Sequence, residues 1–255
     1  MPSCPSSERF TATVEYYHQF RPRYPVEIIR LLIKECTLNA NSVLADIGSG
    51  TGIFTELLIK RGFKTFAIEP NFAMRQKAQS LLGGYDNFIS IEGTSNQTHL
   101  ADHCLDCITC AQSFHWFNDL DSQEEFKRIL KPNGYVVLIW NMRDNQTDCM
   151  KAYEALLKQF GTDYLNVAAE NMTEQKIKLF FGHESIKQFK ISCQQLLDWA
   201  SFKGRLLSTS YTPKIGDEHF DEMLAAANDL FSQYQEKDRI VFDYECTCYV
   251  GQFNY

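Results

Sequence analysis

The stretch that decides the fold runs from residue 43 to residue 52: Val43-Leu44-Ala45-Asp46-Ile47-Gly48-Ser49-Gly50-Thr51-Gly52. A short apolar strand ends in an acid, and a glycine-rich turn leads into a helix predicted over 52–61. Glycine lets the backbone turn sharply and lets a ligand approach without a Cβ in the way. The N-terminus of the following helix offers free N–H groups. Such a turn lies at the carboxyl end of a strand, where open α/β sheets bind ligands.

The spacing of the glycines separates the possible ligands. Gly48, Gly50 and Gly52 follow G-x-G-x-G, whereas the dinucleotide fingerprint G-x-G-x-x-G/A requires a small residue at position 53, which is Ile. No Lys-Ser or Lys-Thr pair follows, as a phosphate-binding P-loop would require. A carboxylate at position 46 is a poor neighbour for a pyrophosphate and a good acceptor for an ammonium group.

A second acid, Glu69, ends the next predicted strand. A carboxylate at that position accepts hydrogen bonds from both hydroxyls of a ribose. Asp46 and Glu69 together suit a ligand with a ribose at one end, a cationic amino-acid part at the other, and no phosphate. S-adenosylmethionine has this chemistry.

Outward from this turn, short apolar strands alternate with helix-length segments as far as Trp140. The predicted strands are 42–47, 64–69, 87–91, 105–111 and 135–140, and the predicted helices are 11–20, 26–36, 52–61, 72–82 and 122–130. This alternation is typical of right-handed βαβ units and a parallel sheet. Beyond Trp140 we predict helix over most of 141–181, a strand at 185–192, helices at 194–207 and 218–235, and a last strand at 240–250.

Several of these segments carry a family resemblance. ADIGSGTG (45–52) followed by IEP (68–70) resembles motif I and the acidic motif of the class I S-adenosylmethionine-dependent methyltransferases. FRPRYP (20–25), QSFHWF (112–117) and FKGRLLSTSY (202–211) are similar to the Y-x3-RP-x-YP, Q-A-x-H-W-F and GRLLSxSY segments of one branch of that family, the trans-aconitate methyltransferase-like (methyltransferase type 11) enzymes. The matches occur in the same order and cover most of residues 17–251.

The resemblance implies an α/β fold: a Rossmann-like, seven-stranded, mostly parallel sheet with one antiparallel strand at 240–250 and a helical cap inserted after the fifth strand. We interpret 1–255 as a single methyltransferase domain. Its expected parts are N-terminal helices in 1–40, the cofactor-binding core in 41–140, the cap in 141–182 and the C-terminal part of the core in 183–255.

The resemblance also implies a set of cofactor-binding residues. Glu69 would bind the ribose, Asp46 would face the methionine end, and Arg21 would be available to the cofactor carboxylate. Thr94 stands where the family has an aspartate that contacts the adenine amino group. The full set is Tyr17, Arg21, Asp46, Gly48, Ser49, Gly50, Gly52, Glu69, Pro70, Met74, Thr94, Ser95, Ala111 and Gln112.

Candidate substrate and catalytic residues follow from the later motifs. They are His115, Trp116, Arg205, Ser208 and Tyr211. His115 is a candidate general base, since histidine transfers protons near neutral pH. It is equally a candidate hydrogen-bond donor to a substrate carboxylate or a packing residue between two aromatic rings.

The implied reaction is methyl transfer from S-adenosylmethionine to a small-molecule acceptor. A carboxylate acceptor needs no base, and Arg205, His115 and Tyr211 would then bind it; a hydroxyl or amine acceptor would make His115 the base. Two alternatives are a protein or RNA methyltransferase and a non-catalytic protein that binds S-adenosylmethionine.

Composition limits the class of protein. The 255 residues include 25 basic and 32 acidic side chains, a net charge of −7, which disfavours a dedicated partner among nucleic acids or anionic membranes. No apolar run approaches the roughly 18 residues that span a bilayer, and the N-terminus lacks the apolar core of a secretory signal. We therefore expect a cytoplasmic protein, in which the nine cysteines are reduced thiols.

Cys104, Cys107 and Cys110 have a spacing compatible with metal ligands. Cys107 and Cys110 lie on one predicted strand, where side chains three apart point to opposite faces of the sheet. We therefore expect no metal site.

Overall fold

Seven strands form one sheet in the computed structural model, which describes residues 14–117, 119–162, 173–182, 185–209 and 211–253. The strands are β1 (Val43–Ile47), β2 (Lys64–Ile68), β3 (Phe88–Ile91), β4 (Leu105–Ala111), β5 (Leu130–Arg143), β6 (Lys187–Leu197) and β7 (Ile240–Gly251). Their order across the sheet is β3-β2-β1-β4-β5-β7-β6. Strands β1 to β5 pair in parallel, and β7 pairs antiparallel with both β5 and β6. The predicted fold class, with its antiparallel last strand, is confirmed.

The helices in the described ranges are α1 (Val14–Phe20), α2 (Glu27–Glu35), α3 (Thr55–Lys60), α4 (Phe72–Leu82), α5 (Leu120–Ile129), α6 (Asp148–Phe160), α7 (Glu174–Phe181), α8 (Trp199–Leu207) and α9 (Phe220–Tyr234). Several start at a residue whose side chain accepts a hydrogen bond from a backbone N–H of the first turn, which satisfies a donor that the helix leaves unpaired. These caps are Asn71, Asp119, Thr147, Thr173 and Asp198.

Apolar side chains alternate between the two faces of the sheet. Leu44 and Cys107 pack with helix α2 on one face, and Ala45 and Cys110 pack with helix α5 on the other. The strand therefore separates the Cys107 and Cys110 thiols, as the alternation of side chains requires. Among the described residues, no group of three His, Cys, Asp or Glu side chains could hold a metal ion.

Helices α6 and α7, which fall within the predicted cap, belong to different clusters. Tyr153 of α6 packs against Phe202 and Phe242, in the core shared by β7, α8 and α9. Phe180 of α7 packs against Phe114 and Phe126, in the core on the other face of the sheet. Residues 163–172 of the predicted cap lie outside the described residues.

Pairing with β7 changes two predicted boundaries. The helix predicted at 194–207 was placed too early, because 194–197 continue β6 and pair with 240–243 of β7. Asp198 then caps α8 by accepting a hydrogen bond from Ser201 N at 2.8 Å. Strand β5 likewise continues past the predicted end at Trp140, because 141–143 pair with 244–246. That extension carries three further residues to the carboxyl end of the sheet.

Within the described ranges, none of the helices has both the length and the apolar composition needed to cross a membrane.

Gly52 and Gly62 both have the left-handed backbone conformation, and comparing them tests how tightly the turn after β1 is packed. A Cβ at Gly52 (φ +81°) would lie 2.6 Å from Leu82 Cδ1, whereas a Cβ at Gly62 (φ +98°) would meet no atom within 4 Å. We expect Gly62→Ala to lower the free energy of unfolding by about 1–2 kcal/mol through backbone strain alone. Gly52→Ala should lower it by about 2–4 kcal/mol, because steric overlap adds to the strain. Urea unfolding measures both; equal losses would contradict a packing role for Gly52.

Candidate active site

A cleft of about 430 Å³ opens at the carboxyl ends of β1, β2, β4 and β5. This volume lies within the range of small-molecule sites, and the position, where strand order reverses between β1 and β4, is where open α/β sheets bind ligands. The predicted site residues that line it are Tyr17, Arg21, Asp46, Gly48, Ser49, Gly50, Glu69, Pro70, Met74, Thr94, Ser95, Ala111, Gln112, His115, Trp116, Arg205 and Tyr211.

The glycine loop forms the floor of the cleft. Gly48 N and Ser49 N donate to the carbonyl of Ile68 at 2.9 and 3.1 Å, which fixes the loop against the end of β2. A Cβ at Gly48 would lie 2.5 Å from Ser113 Cβ, so only glycine fits there. A Cβ at Gly50 (φ +56°) would meet no atom within 4 Å, so the bare side of this residue faces open space in which a ligand can approach the backbone.

Glu69 joins the two loops that follow β1 and β2. Its Oε2 accepts a hydrogen bond from Gly50 N at 2.8 Å, and its Oε1 accepts one from Asn71 N at 2.8 Å. Burial raises the pKa of this carboxyl, while the two backbone N–H groups act in the opposite direction. A carboxylate offers about four acceptor sites, so both oxygens keep a lone pair for hydroxyls in the cleft.

Asp46 is buried at the end of β1. Its Oδ2 accepts from Thr55 Oγ1 at 2.6 Å and its Oδ1 from Thr109 Oγ1 at 3.1 Å. Burial raises the pKa of Asp46 to about 7, with a smaller contribution from Glu69 in the same direction. A cation bound in the cleft would favour the ionised form of this carboxyl, since an opposite charge stabilises a carboxylate.

Two arginines lie on the other side of the cleft. Arg21 Nη2 donates to Ser208 O at 3.2 Å, its guanidinium lies 4.7 Å from the centre of the Tyr17 ring, and its buried Nε has no hydrogen-bond partner among the described residues. Arg205 is only 4% exposed and donates to Tyr244 Oη at 3.1 Å. In the part of the chain that the structure describes, neither guanidinium forms an ion pair with a carboxylate. Both are therefore available to an anionic ligand.

His115 follows β4 in the 3₁₀ turn Phe114–Trp116. Phe114 anchors that turn in the core, where its ring contacts Phe180. The His115 Nδ1 is buried and has no partner among the described residues. Burial, reinforced by Arg21, lowers the pKa of His115 to about 4. The imidazole is therefore neutral at neutral pH and offers one donor and one acceptor.

Gln112 has the left-handed conformation (φ +57°) that side chains other than glycine rarely adopt. Its N–H donates to Ile139 O at 2.8 Å and its Nε2 to Asn141 O at 2.9 Å, so it ties the end of β4 to β5. Strained residues of this kind concentrate at functional sites. Here the strain bends the chain so that His115 follows directly beside the cleft.

Two predicted site residues do not line the cleft. Gly52 was predicted to bind the cofactor, but its missing side chain makes room for Leu82 of α4. Ser208 was predicted to face the substrate, but its hydroxyl is buried and donates to Arg205 O at 2.7 Å. The Ser208 carbonyl instead accepts a hydrogen bond from Arg21 Nη2. A motif fixes the position of a residue in the chain but not the direction of its side chain.

The cleft also contains residues that no motif indicated. Thr94 is exposed, and its hydroxyl donates to Asn96 Oδ1 at 2.6 Å, so Asn96 belongs to the same wall. Asn141 and Arg143 enter the cleft because β5 is longer than predicted. Asn71 lines it too, and the sequence did carry a signal for it, since asparagine directly before a helix is a common cap.

Comparison with known proteins relates this geometry to a family. A family model described as a methyltransferase domain matches residues 45–138. An uncharacterised methyltransferase of Schizosaccharomyces pombe is 30% identical over 181 residues, which are 70% of this chain and 69% of that protein. An uncharacterised methyltransferase of Mycobacterium tuberculosis is 32% identical over 137 residues, 54% of each protein, so the match spans about half the length of that relative.

Solved structures show the same fold. A methyltransferase from Geobacter sulfurreducens, solved with S-adenosyl-L-homocysteine, has a TM-score of 0.54 at 15% identity, with all of both chains covered. Phosphoethanolamine N-methyltransferase 2 from Haemonchus contortus, solved with S-adenosyl-L-methionine, has a TM-score of 0.57 at 12% identity and covers 98% of this chain and 59% of its own.

The hydroxyls around Asp46 provide a test of its surroundings. Thr55→Val should raise the pKa of Asp46 above about 7, because the hydroxyl donates to the ionised carboxylate and so favours the charged form. Carbon-13 NMR of the aspartate carboxyls across pH measures this pKa. Thr65→Val is the matched control, since Thr65 is equally buried but donates to Phe63 O. An Asp46 pKa near 4 in the wild-type protein would contradict the dominance of burial.

Proposed function

This chain belongs to the class I S-adenosylmethionine-dependent methyltransferases, and from that premise we propose that it methylates a small-molecule acceptor that carries a carboxylate. The observation that supports this acceptor is a pair of guanidinium groups, the half-buried Arg21 and the buried Arg205, that face the cleft without a carboxylate partner in the described part of the chain. Charges removed from water are normally paired, so two guanidinium groups without a carboxylate partner in one cleft indicate anionic ligands.

The donor side of the cleft fits S-adenosylmethionine. Glu69 would accept hydrogen bonds from the ribose hydroxyls, and the open space beside Gly50 lets the ligand approach the backbone. Asp46 would face the positively charged methionine end and Arg21 its carboxylate. When bound, S-adenosylmethionine supplies a methyl group that its sulfonium already activates.

The acceptor side is assigned to Arg205. Its Nε bond to Tyr244 Oη and its Nη1 contact with Ser208 Oγ at 3.5 Å hold the guanidinium at the cleft wall. A guanidinium presents donors in a fork that matches the two oxygens of a carboxylate. Arg21 is then the partner of the donor carboxylate, and each guanidinium group receives one anion.

The pKa of His115 also supports a carboxylate acceptor. An ionised carboxylate is already a nucleophile at neutral pH, so no side chain has to remove a proton from it. A hydroxyl acceptor would need a base, and general bases work best with a pKa near the operating pH. The pKa of His115 is lowered to about 4. We therefore assign His115 to hydrogen bonding and orientation of the acceptor rather than to proton transfer.

Glu69→Ala tests the donor site. Loss of a charged hydrogen-bond acceptor, about 1.5–3 kcal/mol, should raise the Kd for S-adenosylmethionine and S-adenosylhomocysteine by about 10- to 100-fold in calorimetric titration. Glu222→Ala is the control, because Glu222 lies exposed on α9 and outside the cleft. No saturable binding by the folded wild-type protein would overturn the assigned site. A Kd within twofold of wild type for the Glu69 variant would remove Glu69 from it.

Arg205→Lys tests the acceptor site. A screen of small carboxylic acids, with S-adenosylhomocysteine release as the readout, first identifies an acceptor. Lysine keeps the charge but not the fork, so the KM for that acceptor should rise about tenfold while the Kd for S-adenosylmethionine stays within twofold. Thermal unfolding checks that the variant folds. Methylation of neutral alcohols or amines, with no turnover of any carboxylic acid, would contradict the proposal.

A further inference from the structure

We propose that Phe20 and Gly204 form a seat that holds helix α1 over the cleft, and that this seat positions Tyr17 and Arg21 against the methyl donor. Both are positioning residues, since neither belongs to the cleft lining. The ligand readout of this proposal rests on the proposed donor site, whereas its structural readout does not.

The contact is close. Phe20 is the last residue of α1, and Gly204 lies in the middle of α8. A Cβ on Gly204 would lie 2.4 Å from both Cδ2 and Cε2 of Phe20 and 2.5 Å from its Cγ. Three ring atoms at nearly equal distance mean that the ring lies flat over the glycine. A side chain of any size at position 204 would therefore push the ring away.

The backbone of α8 does not itself require glycine at this position. Gly204 has no positive φ, unlike Gly48 or Gly52, and glycine is among the poorest helix formers. The residue type is explained by the ring that covers it. Elsewhere in the chain, Gly84 likewise has no positive φ, but a Cβ there would meet no atom within 4 Å.

A second contact joins the residue after α1 to the residue that caps the end of α8. Arg21 Nη2 donates to Ser208 O at 3.2 Å, four residues after Gly204. Earlier in α1, His18 Nδ1 lies 3.1 Å from Thr51 Oγ1 of the glycine loop. Helix α1 therefore bridges α8 and the glycine loop; Tyr17 directly precedes the attachment at His18, and Arg21 directly follows the one at Phe20.

The seat also links the two halves of the cleft. Gly204 directly precedes Arg205, the proposed acceptor residue, and Phe20 directly precedes Arg21, the proposed partner of the donor carboxylate. The Phe20–Gly204 contact thus sets the spacing between two guanidinium groups from opposite ends of the chain. Arg205 has its own bond to Tyr244, so loss of the seat should displace Arg21 more than Arg205.

Gly204→Ala tests the seat. We expect the Kd for S-adenosylmethionine to rise about tenfold, as for the loss of one charged contact, while global unfolding by urea remains cooperative because alanine favours helix α8. Gly84→Ala is the matched control and should leave the Kd unchanged. A Kd for Gly204→Ala within twofold of wild type would overturn the proposal.

The double variant Phe20→Ala/Gly204→Ala separates a seat from a general loss of stability. Phe20→Ala alone should weaken S-adenosylmethionine binding, because it empties the seat. Adding Gly204→Ala should change the Kd no further, since no ring remains to be displaced. Additive effects of the two substitutions would contradict a shared contact.

Hydrogen exchange provides a readout that needs no ligand. Amides of 14–20 should lose protection in Gly204→Ala but not in Gly84→Ala, while amides of β1 and β4 keep theirs. If the wild-type protein failed to bind S-adenosylmethionine, the proposed donor site would be wrong, and this exchange result would still decide whether the seat exists. Unchanged protection of the α1 amides in Gly204→Ala would show that the seat does not exist.

Discussion

The hydrogen bond from Gly50 N to Glu69 Oε2, at 2.8 Å, joins the loops that leave two neighbouring parallel strands. It is possible only because the left-handed glycines turn the first loop back towards the end of β2. A buried carboxylate without such donors would be strongly unfavourable. The bond therefore satisfies one oxygen of Glu69 and, together with the bonds from Gly48 N and Ser49 N to Ile68 O, fixes the glycine loop that shapes the donor half of the cleft.

The acidic and the basic side chains of the cleft lie on opposite sides of it. Asp46 and Glu69 are buried on the donor side, and burial raises the pKa of both carboxyls because it disfavours their charged forms. The half-buried Arg21 and the buried Arg205 lie on the other side. Functional sites commonly hold such unfavourable arrangements, which the rest of the fold stabilises. S-adenosylmethionine, with its cationic centre and its carboxylate, would supply partners for the acids and for Arg21, and a carboxylate acceptor would supply one for Arg205.

The sequence predicted correctly those helices and strands whose ends are marked by neighbouring residues in the chain. Helix Phe72–Leu82 and strand Leu105–Ala111 have the predicted bounds, because an N-cap, a periodic pattern or an apolar run marks their ends. The end of β6 and the extension of β5 depend on pairing with β7, more than 40 residues further along the chain. Arg143 could therefore not be predicted as a cleft residue. The family resemblance indicated Arg205 as a site residue. The contacts of Gly204 and Ser208 could not be predicted from the sequence, because they depend on how α1 and α8 pack.

The two halves of the cleft are consequently built under different constraints. The donor half consists of the tight turns that follow β1, β2 and β4. A substitution of a glycine or an acid there would disturb the backbone conformation of the turn. The acceptor half depends on Arg205 of α8, which the side chain of Tyr244 on the distant strand β7 holds in place. Substitutions can alter those side chains without disturbing the turns. Acceptor choice can therefore diverge within one fold while the donor site stays constant, so the geometry of α8 carries more information about the acceptor than the glycine loop does.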